Sequence, residues 1–193
     1  MSKNYIECKI LLVGDGPTGK TSILFRYLEG IYEDQKNLTT IGIDSQLKSI
    51  QLNNGKTLRL KFIDTPGQER ARSLVKNFYK KSDIIILIYD VTDKKSFESI
   101  QKFYEQIKNE TSEEIHIILL GNKIDKEGRQ VTKEQGEKLA KELRMIFFEC
   151  SAKTGENIND IFNKIIEKYN DNENVKGKKG DAKKDKKEKC YIF

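Results

Sequence analysis

Five short apolar runs recur along the chain, and helical patterns lie between them. Several runs are almost continuously apolar, which is typical of parallel strands covered on both faces of a sheet. Apolar residues at helical spacing form one stripe from Ser96 to Asn109 and another from Ile158 to Tyr169. This alternation predicts an α/β doubly wound fold. The strand-like runs span residues 6–14, 57–64, 83–90, 114–121 and 145–150.

The segment 47–63 interrupts this alternation, because Asn54-Gly55 lies between two strand-like runs. Asn-Gly is a strong signal for a β-hairpin, since both residues tolerate positive φ angles. We therefore expect one antiparallel edge strand on a mostly parallel sheet of about six strands, with helices on both faces.

The positive charge is concentrated near the end of the chain. Residues 176–189 carry eight lysines against three acidic residues, which accounts for +5 of the net charge of +6. The body has no basic excess that could follow a nucleic-acid backbone, so nucleic acid is not an expected partner. Little in this segment can be buried, which predicts a disordered tail. We expect one domain over residues 1–170 and a polybasic tail over 171–193.

The sequence predicts a cytosolic protein. No run approaches the roughly 18 consecutive apolar residues of a membrane span, and the first ten residues lack a signal-peptide pattern. The three cysteines, Cys8, Cys150 and Cys190, make no disulfide framework. Cys8 and Cys150 lie in apolar runs and are predicted to be core residues.

A glycine-rich loop follows the first strand-like run and fits the pattern GxxxxGK[ST]. Glycines let the backbone wrap around phosphate oxygens, and the N-terminus of the next helix favours their charge. Lys20 would reach the β- and γ-phosphates, and the Thr21 hydroxyl would bind Mg²⁺. The motif alone does not distinguish ATP from GTP. Nucleotide contacts are predicted for Gly14, Asp15, Gly16, Pro17, Thr18, Gly19, Lys20, Thr21 and Ser22.

Two further loops follow later strands, where ligands bind in open α/β sheets. The first is Asn122-Lys123-Ile-Asp125, and the second is Ser151-Ala152-Lys153. A carboxylate at Asp125 can accept hydrogen bonds from the ring N–H and the exocyclic amine of guanine, a donor pair that adenine lacks. Backbone N–H groups of the second loop could meet the guanine oxygen. In this order the loops predict a guanine-nucleotide site.

These motifs together resemble those of Ras-like small GTPases, and most closely those of the Rab branch, over residues 5–170. The resemblance implies a P-loop NTPase G-domain that binds GTP and GDP. It places Asn122 and Asp125 on the guanine base. Lys123 and Lys153 would pack on the faces of the base, and Tyr32 would lie edge-on to it.

The resemblance also implies how the γ-phosphate is sensed and removed. Thr40 resembles the Mg²⁺ ligand of a first switch, and Asp64 resembles a metal ligand that acts through water. In the second switch, the Gly67 amide would contact the γ-phosphate. Gln68 would orient the attacking water, and Lys20 would complete the catalytic set. Hydrolysis should be slow until a GTPase-activating protein assists.

Some positions differ from the usual family pattern. Rab relatives usually carry a Phe–Trp–Tyr surface triad for effector binding, and Ser45, Ile63 and Tyr79 stand at those positions. Both prolines of the chain, Pro17 and Pro66, lie inside nucleotide motifs, where they could slow hydrolysis or switching.

The last four residues, Cys190-Tyr-Ile-Phe193, fit the CaaX pattern for prenylation of the cysteine. A prenyl chain and a lysine cluster together supply the two signals needed for stable anchoring. We therefore expect attachment to the cytosolic face of a membrane, and we expect a monomer. The resemblance implies exchange factors, GTPase-activating proteins, effectors and a prenyltransferase as partners, and a role in vesicular traffic.

Two other functions remain open from the sequence. One is an ATP-using P-loop enzyme such as a small-molecule kinase, which the two base loops disfavour. The other is a binding module that holds nucleotide and barely hydrolyses it, suggested by the two prolines and disfavoured by Gln68.

Overall fold

The computed structural model describes residues 5–32, 44–66, 72–111 and 115–176. Within these ranges, strands and helices alternate along the chain. The strands are β1 (Tyr5–Val13), β2 (Asp44–Gln51), β3 (Thr57–Asp64), β4 (Ile84–Asp90), β5 (His116–Asn122) and β6 (Ile146–Cys150). The helices are α1 (Lys20–Glu29), α2 (Arg72–Tyr79), α3 (Lys94–Glu110), α4 (Lys133–Glu142) and α5 (Ile158–Lys176).

The strands form a six-stranded sheet in the order β2-β3-β1-β4-β5-β6. The β2–β3 pair is antiparallel, and the other four pairs are parallel. The hairpin turn closes with a hydrogen bond from Leu52 N to Lys56 O of 2.9 Å, and Gly55 has a φ of 80°. The predicted fold class, including its antiparallel edge strand, is confirmed.

Two apolar layers cover the sheet, one on each face. In one layer Tyr27 of α1 stacks on Phe162 of α5, with ring centroids 3.9 Å apart. The other layer packs α2, α3 and α4 against β4 and β5. All seven residues of β4 are buried, which explains its continuous apolar run. Cys8 and Cys150 are fully buried, so the prediction that they are core residues is confirmed.

Helix α4 begins with a capping box in which Thr132 and Gln135 exchange hydrogen bonds, as the sequence indicates. Helix α5 is helical to Lys176. No helix in the described ranges is long and apolar enough to cross a membrane.

The carboxyl ends of five strands meet at one edge of the sheet and supply most of the candidate site residues. The phosphate loop follows β1, and the two predicted base loops begin at the ends of β5 and β6. Asp64 ends β3, and Asp90 ends β4. Residues far apart in sequence therefore come together at this edge.

Candidate nucleotide-binding site

The phosphate loop wraps around the ammonium group of its own lysine. Lys20 Nζ donates to the carbonyl oxygens of Gly14 and Asp15 at 2.9 Å each, and to that of Gly16 at 3.4 Å. A 3₁₀ turn covers Gly16–Thr18, and Gly19 with a φ of 91° leads into α1. The loop forms a cradle that opens at the N-terminus of a helix, where phosphate binding is favoured.

Lys20 is 4% exposed, so its ammonium group carries a desolvation cost. Burial lowers the pKa of Lys20 to about 8, and the charges of Asp64 and Asp15 act against that shift. An anionic ligand beside this group would favour its charged form. The surroundings of Lys20 are thus suited to phosphate oxygens.

Asp64 and Thr21 lie together beside this cradle. Thr21 Oγ1 donates to Asp64 Oδ2 at 2.5 Å, whereas the buried Asp64 Oδ1 accepts no hydrogen bond from the described residues. Burial raises the pKa of Asp64, and the Thr21 hydrogen bond and the Lys20 charge oppose that rise. Mg²⁺ is usually held by one or two carboxylates together with phosphates and waters. One buried carboxylate with an unpaired oxygen beside a hydroxyl fits that ion.

Asn122 joins the phosphate loop to the loop after β6. Its side-chain Nδ2 donates to Thr18 O at 2.8 Å, and its Oδ1 accepts from Ala152 N at 3.1 Å. The thiol of Cys150 also points at Oδ1, at 3.6 Å. Asn122 is 1% exposed, so breaking these bonds would leave buried polar groups unpaired. Asn122 therefore fixes the distance between the two ends of the site.

Lys123 is held over the phosphate loop by two oxygen partners. Its Nζ pairs with Asp90 Oδ2 at 2.6 Å and donates to the carbonyl of Pro17. Although burial raises the pKa of Asp90, hydrogen bonds from Lys123 and Thr92 bring it below its usual range. Lys123 itself has a φ of 70°, a left-handed conformation that this pair supports. No sequence pattern predicts that Asp90 pairs with Lys123.

The carboxylate of Asp125 is exposed and held from one side. Ser151 Oγ donates to Asp125 Oδ1 at 2.6 Å, and Thr154 N donates to Ser151 Oγ at 3.0 Å. The Ser151 hydroxyl thus connects the two predicted base loops. A carboxylate fixed in this way is oriented before a ligand arrives, which reduces the cost of binding.

The arginine Arg26 of α1 also contacts the loop after β6, which the sequence analysis did not predict. Its Nε donates to Ala152 O at 2.9 Å, and its Nη2 donates to Lys153 O at 2.5 Å. Its guanidinium carbon is 5.9 Å from the ring centroid of Tyr32, which is partly buried. The side chain of Lys153 is exposed.

Matches to known proteins identify the family of this chain. The model of the Ras family matches residues 9–171. Ras-related protein SEC4 of Saccharomyces cerevisiae is 44% identical over 154 residues, which cover 80% of this chain and 71% of the relative. Ras-related protein Rab-13 of Mesocricetus auratus is 42% identical over 167 residues, with 86% and 81% covered. The GTP-binding protein ypt2 of Schizosaccharomyces pombe is 43% identical over 155 residues, with 80% and 76% covered.

The chain belongs to the Ras family. The relatives confirm the predicted resemblance to the Rab branch. This Ras-family protein is therefore a GTPase that binds guanine nucleotide, as the sequence analysis predicted.

Several predicted site residues of this Ras-family protein lie outside the described residues. They are Thr40, Gly67, Gln68 and the lipidation site Cys190. Ser22 is described and lies in the first turn of α1. At the positions of the effector triad, Ser45 is exposed, whereas Ile63 and Tyr79 are 4% and 1% exposed. The buried pair packs in the apolar layer with Val75 of α2.

Proposed function

We propose that this Rab-like GTPase is a membrane-attached switch of vesicular traffic, which holds Mg²⁺ and guanine nucleotide between its phosphate loop and its two base loops. The buried Asn122 side chain carries this proposal, because it bonds the phosphate loop on one side and the loop after β6 on the other. One pocket of fixed length then receives a base at one end and phosphates at the other.

At the base end, Asp125 would select guanine. Its carboxylate would accept from the ring N–H and the exocyclic amine, while Ser151 occupies Oδ1 from the protein side. Lys123 and Lys153 would cover the faces of the base, and Tyr32 would lie at its edge. Adenine would leave the carboxylate without donors, which costs affinity.

At the phosphate end, the Lys20 ammonium would exchange its loop carbonyls for the β- and γ-phosphate oxygens. Thr21 and Asp64 would hold Mg²⁺, with Thr40 completing the set in the GTP state. The ion would supply positive charge that stabilises the phosphate oxygens during transfer. The backbone of residues 14–19 and the Ser22 side of α1 would bind the remaining oxygens.

Hydrolysis in this proposal depends on positioning rather than covalent chemistry. Gln68 would orient the attacking water, and the Gly67 amide would contact the γ-phosphate. Loss of that phosphate would release both switch segments, and the change would be read by effectors. An exchange factor would reload the protein, and a GTPase-activating protein would accelerate hydrolysis.

Single-turnover hydrolysis of GTP in the presence of Mg²⁺ tests this proposal. We expect the wild-type protein to prefer GTP over ATP and to cleave it slowly. The Gln68→Leu variant should keep GTP binding and lose up to about a hundredfold in hydrolysis rate, because the water is no longer oriented. Gln101→Leu is the matched control, since Gln101 lies exposed on α3 and bonds to Glu105.

Two results would contradict the proposed GTPase function. Equal binding of ATP and GTP would favour an ATP-using enzyme. If the protein bound GTP and Gln68→Leu hydrolysed it at the same rate as the wild type, a nucleotide-binding module would be favoured.

The membrane part of the proposal is based on the sequence of the tail. Cys190 in its CaaX pattern would receive a prenyl group from a prenyltransferase, and the lysines of 176–189 would attract anionic lipids. We expect mass spectrometry of the protein from its native cell to show a prenylated Cys190. An unmodified, full-length C-terminus would contradict this attachment.

A further inference from the structure

We propose that Arg26 is a positioning residue for guanine recognition, which rests on the proposed function of the two base loops. Arg26 lies on α1 and does not belong to the phosphate, base or switch motifs. It holds residues 152–153 so that the loop presents a backbone N–H group to the base. Its loss should speed the release of guanine nucleotide without slowing the chemical step.

Three carbonyl oxygens from two segments converge on the Arg26 guanidinium. Nε bonds Ala152 O at 2.9 Å, and Nη2 bonds Lys153 O at 2.5 Å. Nη1 bonds Gly30 O at 2.7 Å, just past the end of α1. A guanidinium is planar and its donors are fixed relative to one another, so the three bonds hold the carbonyls in one arrangement.

This arrangement sets the direction of a peptide group in the base loop. In a trans peptide the C=O and the following N–H point in opposite directions. Because Ala152 C=O faces Arg26, the N–H of Lys153 points away from α1. The N–H of Ala152 is bonded to Asn122, so it is the Lys153 N–H that is oriented for the guanine oxygen.

The second peptide held by Arg26 leads to the carboxylate that would select guanine. Lys153 C=O accepts from Arg26, and the N–H of the same peptide, on Thr154, donates to Ser151 Oγ at 3.0 Å. Ser151 in turn donates to Asp125 Oδ1 at 2.6 Å. Hydrogen bonds joined by one peptide group thus connect α1 to Asp125. In such a network each hydrogen bond polarises and strengthens the next.

Arg26 also connects the base end with the phosphate end. It is on the same helix as Lys20 and Thr21, and its guanidinium lies 5.9 Å from the Tyr32 ring. Movement of α1 would therefore pull on the base loop. All three described hydrogen bonds of Arg26 go to carbonyls, so its contribution is one of geometry rather than of charge pairing.

The test measures release of bound GDP from the full-length chain with Mg²⁺ in excess. Arg26→Ala should release GDP about tenfold faster, the effect of one hydrogen bond to a charged group, and Arg26→Lys about threefold faster. Lys48→Ala is the matched control. Lys48 Nζ donates to Tyr27 O of the same helix at 3.0 Å and lies 4.0 Å from the centroid of the Tyr27 ring. Its release rate should stay within about twofold of wild type.

Two further measurements separate positioning from a general loss of structure. The acceleration of nucleotide release caused by Arg26→Ala should be smaller for 6-thioguanosine diphosphate than for GDP, because its sulfur is a poor acceptor for the Lys153 N–H. The single-turnover hydrolysis rate should stay within about twofold of wild type, because the groups around the phosphates are unchanged.

Equal release rates for Arg26→Ala and wild type would overturn the inference. The inference would also be overturned if Arg26→Ala and Lys48→Ala accelerated GDP release equally. The same holds if Arg26→Ala accelerated the release of GDP and of 6-thioguanosine diphosphate by the same factor. If Arg26→Ala does not fold, the same comparisons apply to Arg26→Lys. A wild-type protein that retains adenosine diphosphate as well as GDP would instead refute the guanine site itself.

Discussion

Replacing Asp125 by asparagine is expected to weaken GDP binding by about a thousandfold. The carboxylate accepts hydrogen bonds from two N–H donors of guanine, whereas the asparagine NH₂ group is itself a donor and repels one of them. In the wild-type protein Ser151 donates to Asp125 Oδ1 at 2.6 Å, which orients the side chain that would meet the base. Equilibrium titration with a fluorescent GDP analogue measures the change.

The same variant should gain affinity for xanthosine diphosphate. Xanthine carries an oxygen in place of the exocyclic amine of guanine, and the asparagine amide can donate to it. This recovery shows that the pocket is intact and that the loss arises from the base. Glu127→Gln is the matched control, since Glu127 is an exposed acid in the same loop and should not alter GDP binding. A loss of GDP affinity in Glu127→Gln, or no recovery with xanthosine diphosphate, would contradict the role given to Asp125.

Much of the fold follows from local sequence patterns. The continuous apolar run of β4 reflects burial on both faces, and the Asn54-Gly55 turn specifies the hairpin. Both signals lie within a few residues of one another, so no knowledge of the tertiary contacts is needed.

The candidate site could be predicted as a set of loops and not as a set of contacts. Strand ends locate the loops, since parallel strands bring their carboxyl ends to one edge. Arg26 reaches Ala152 across 126 positions in the chain, and no spacing rule encodes such a pair. The pairing of Lys123 with Asp90 has the same origin, because it depends on the neighbouring strands β4 and β5.

The burial of Ile63 and Tyr79 also depends on tertiary packing. The resemblance to the Rab branch predicts surface residues at these two positions, yet both are buried in the layer formed with Val75. The exposure of Ile63 and Tyr79 depends on how α2 packs on the sheet, and the sequence pattern of β3 alone does not indicate this packing.

Replacing Gly19 by alanine is expected to lower both the stability of the fold and its affinity for nucleotide. Gly19 has a φ of 91°, and a Cβ there would lie 2.4 Å from Asn122 Nδ2. Asn122 cannot move aside without breaking its bonds to Thr18 and Ala152. We expect unfolding free energy to fall by about 3 kcal/mol, the sum of backbone strain and one lost buried hydrogen bond. Nucleotide affinity should fall by at least about a hundredfold, because both ends of the site shift.

Gly128 provides the matched control within the same chain. Its φ is 80°, so alanine suffers similar backbone strain, but a Cβ there would meet nothing within 4 Å. Gly128→Ala should therefore lose only about 1–2 kcal/mol and bind GDP as the wild type does. Denaturant unfolding with and without GDP, together with GDP titration, compares the two variants. If Gly19→Ala kept wild-type affinity, the phosphate and base loops would not be coupled through Asn122, and the two ends of the pocket would have to be positioned independently.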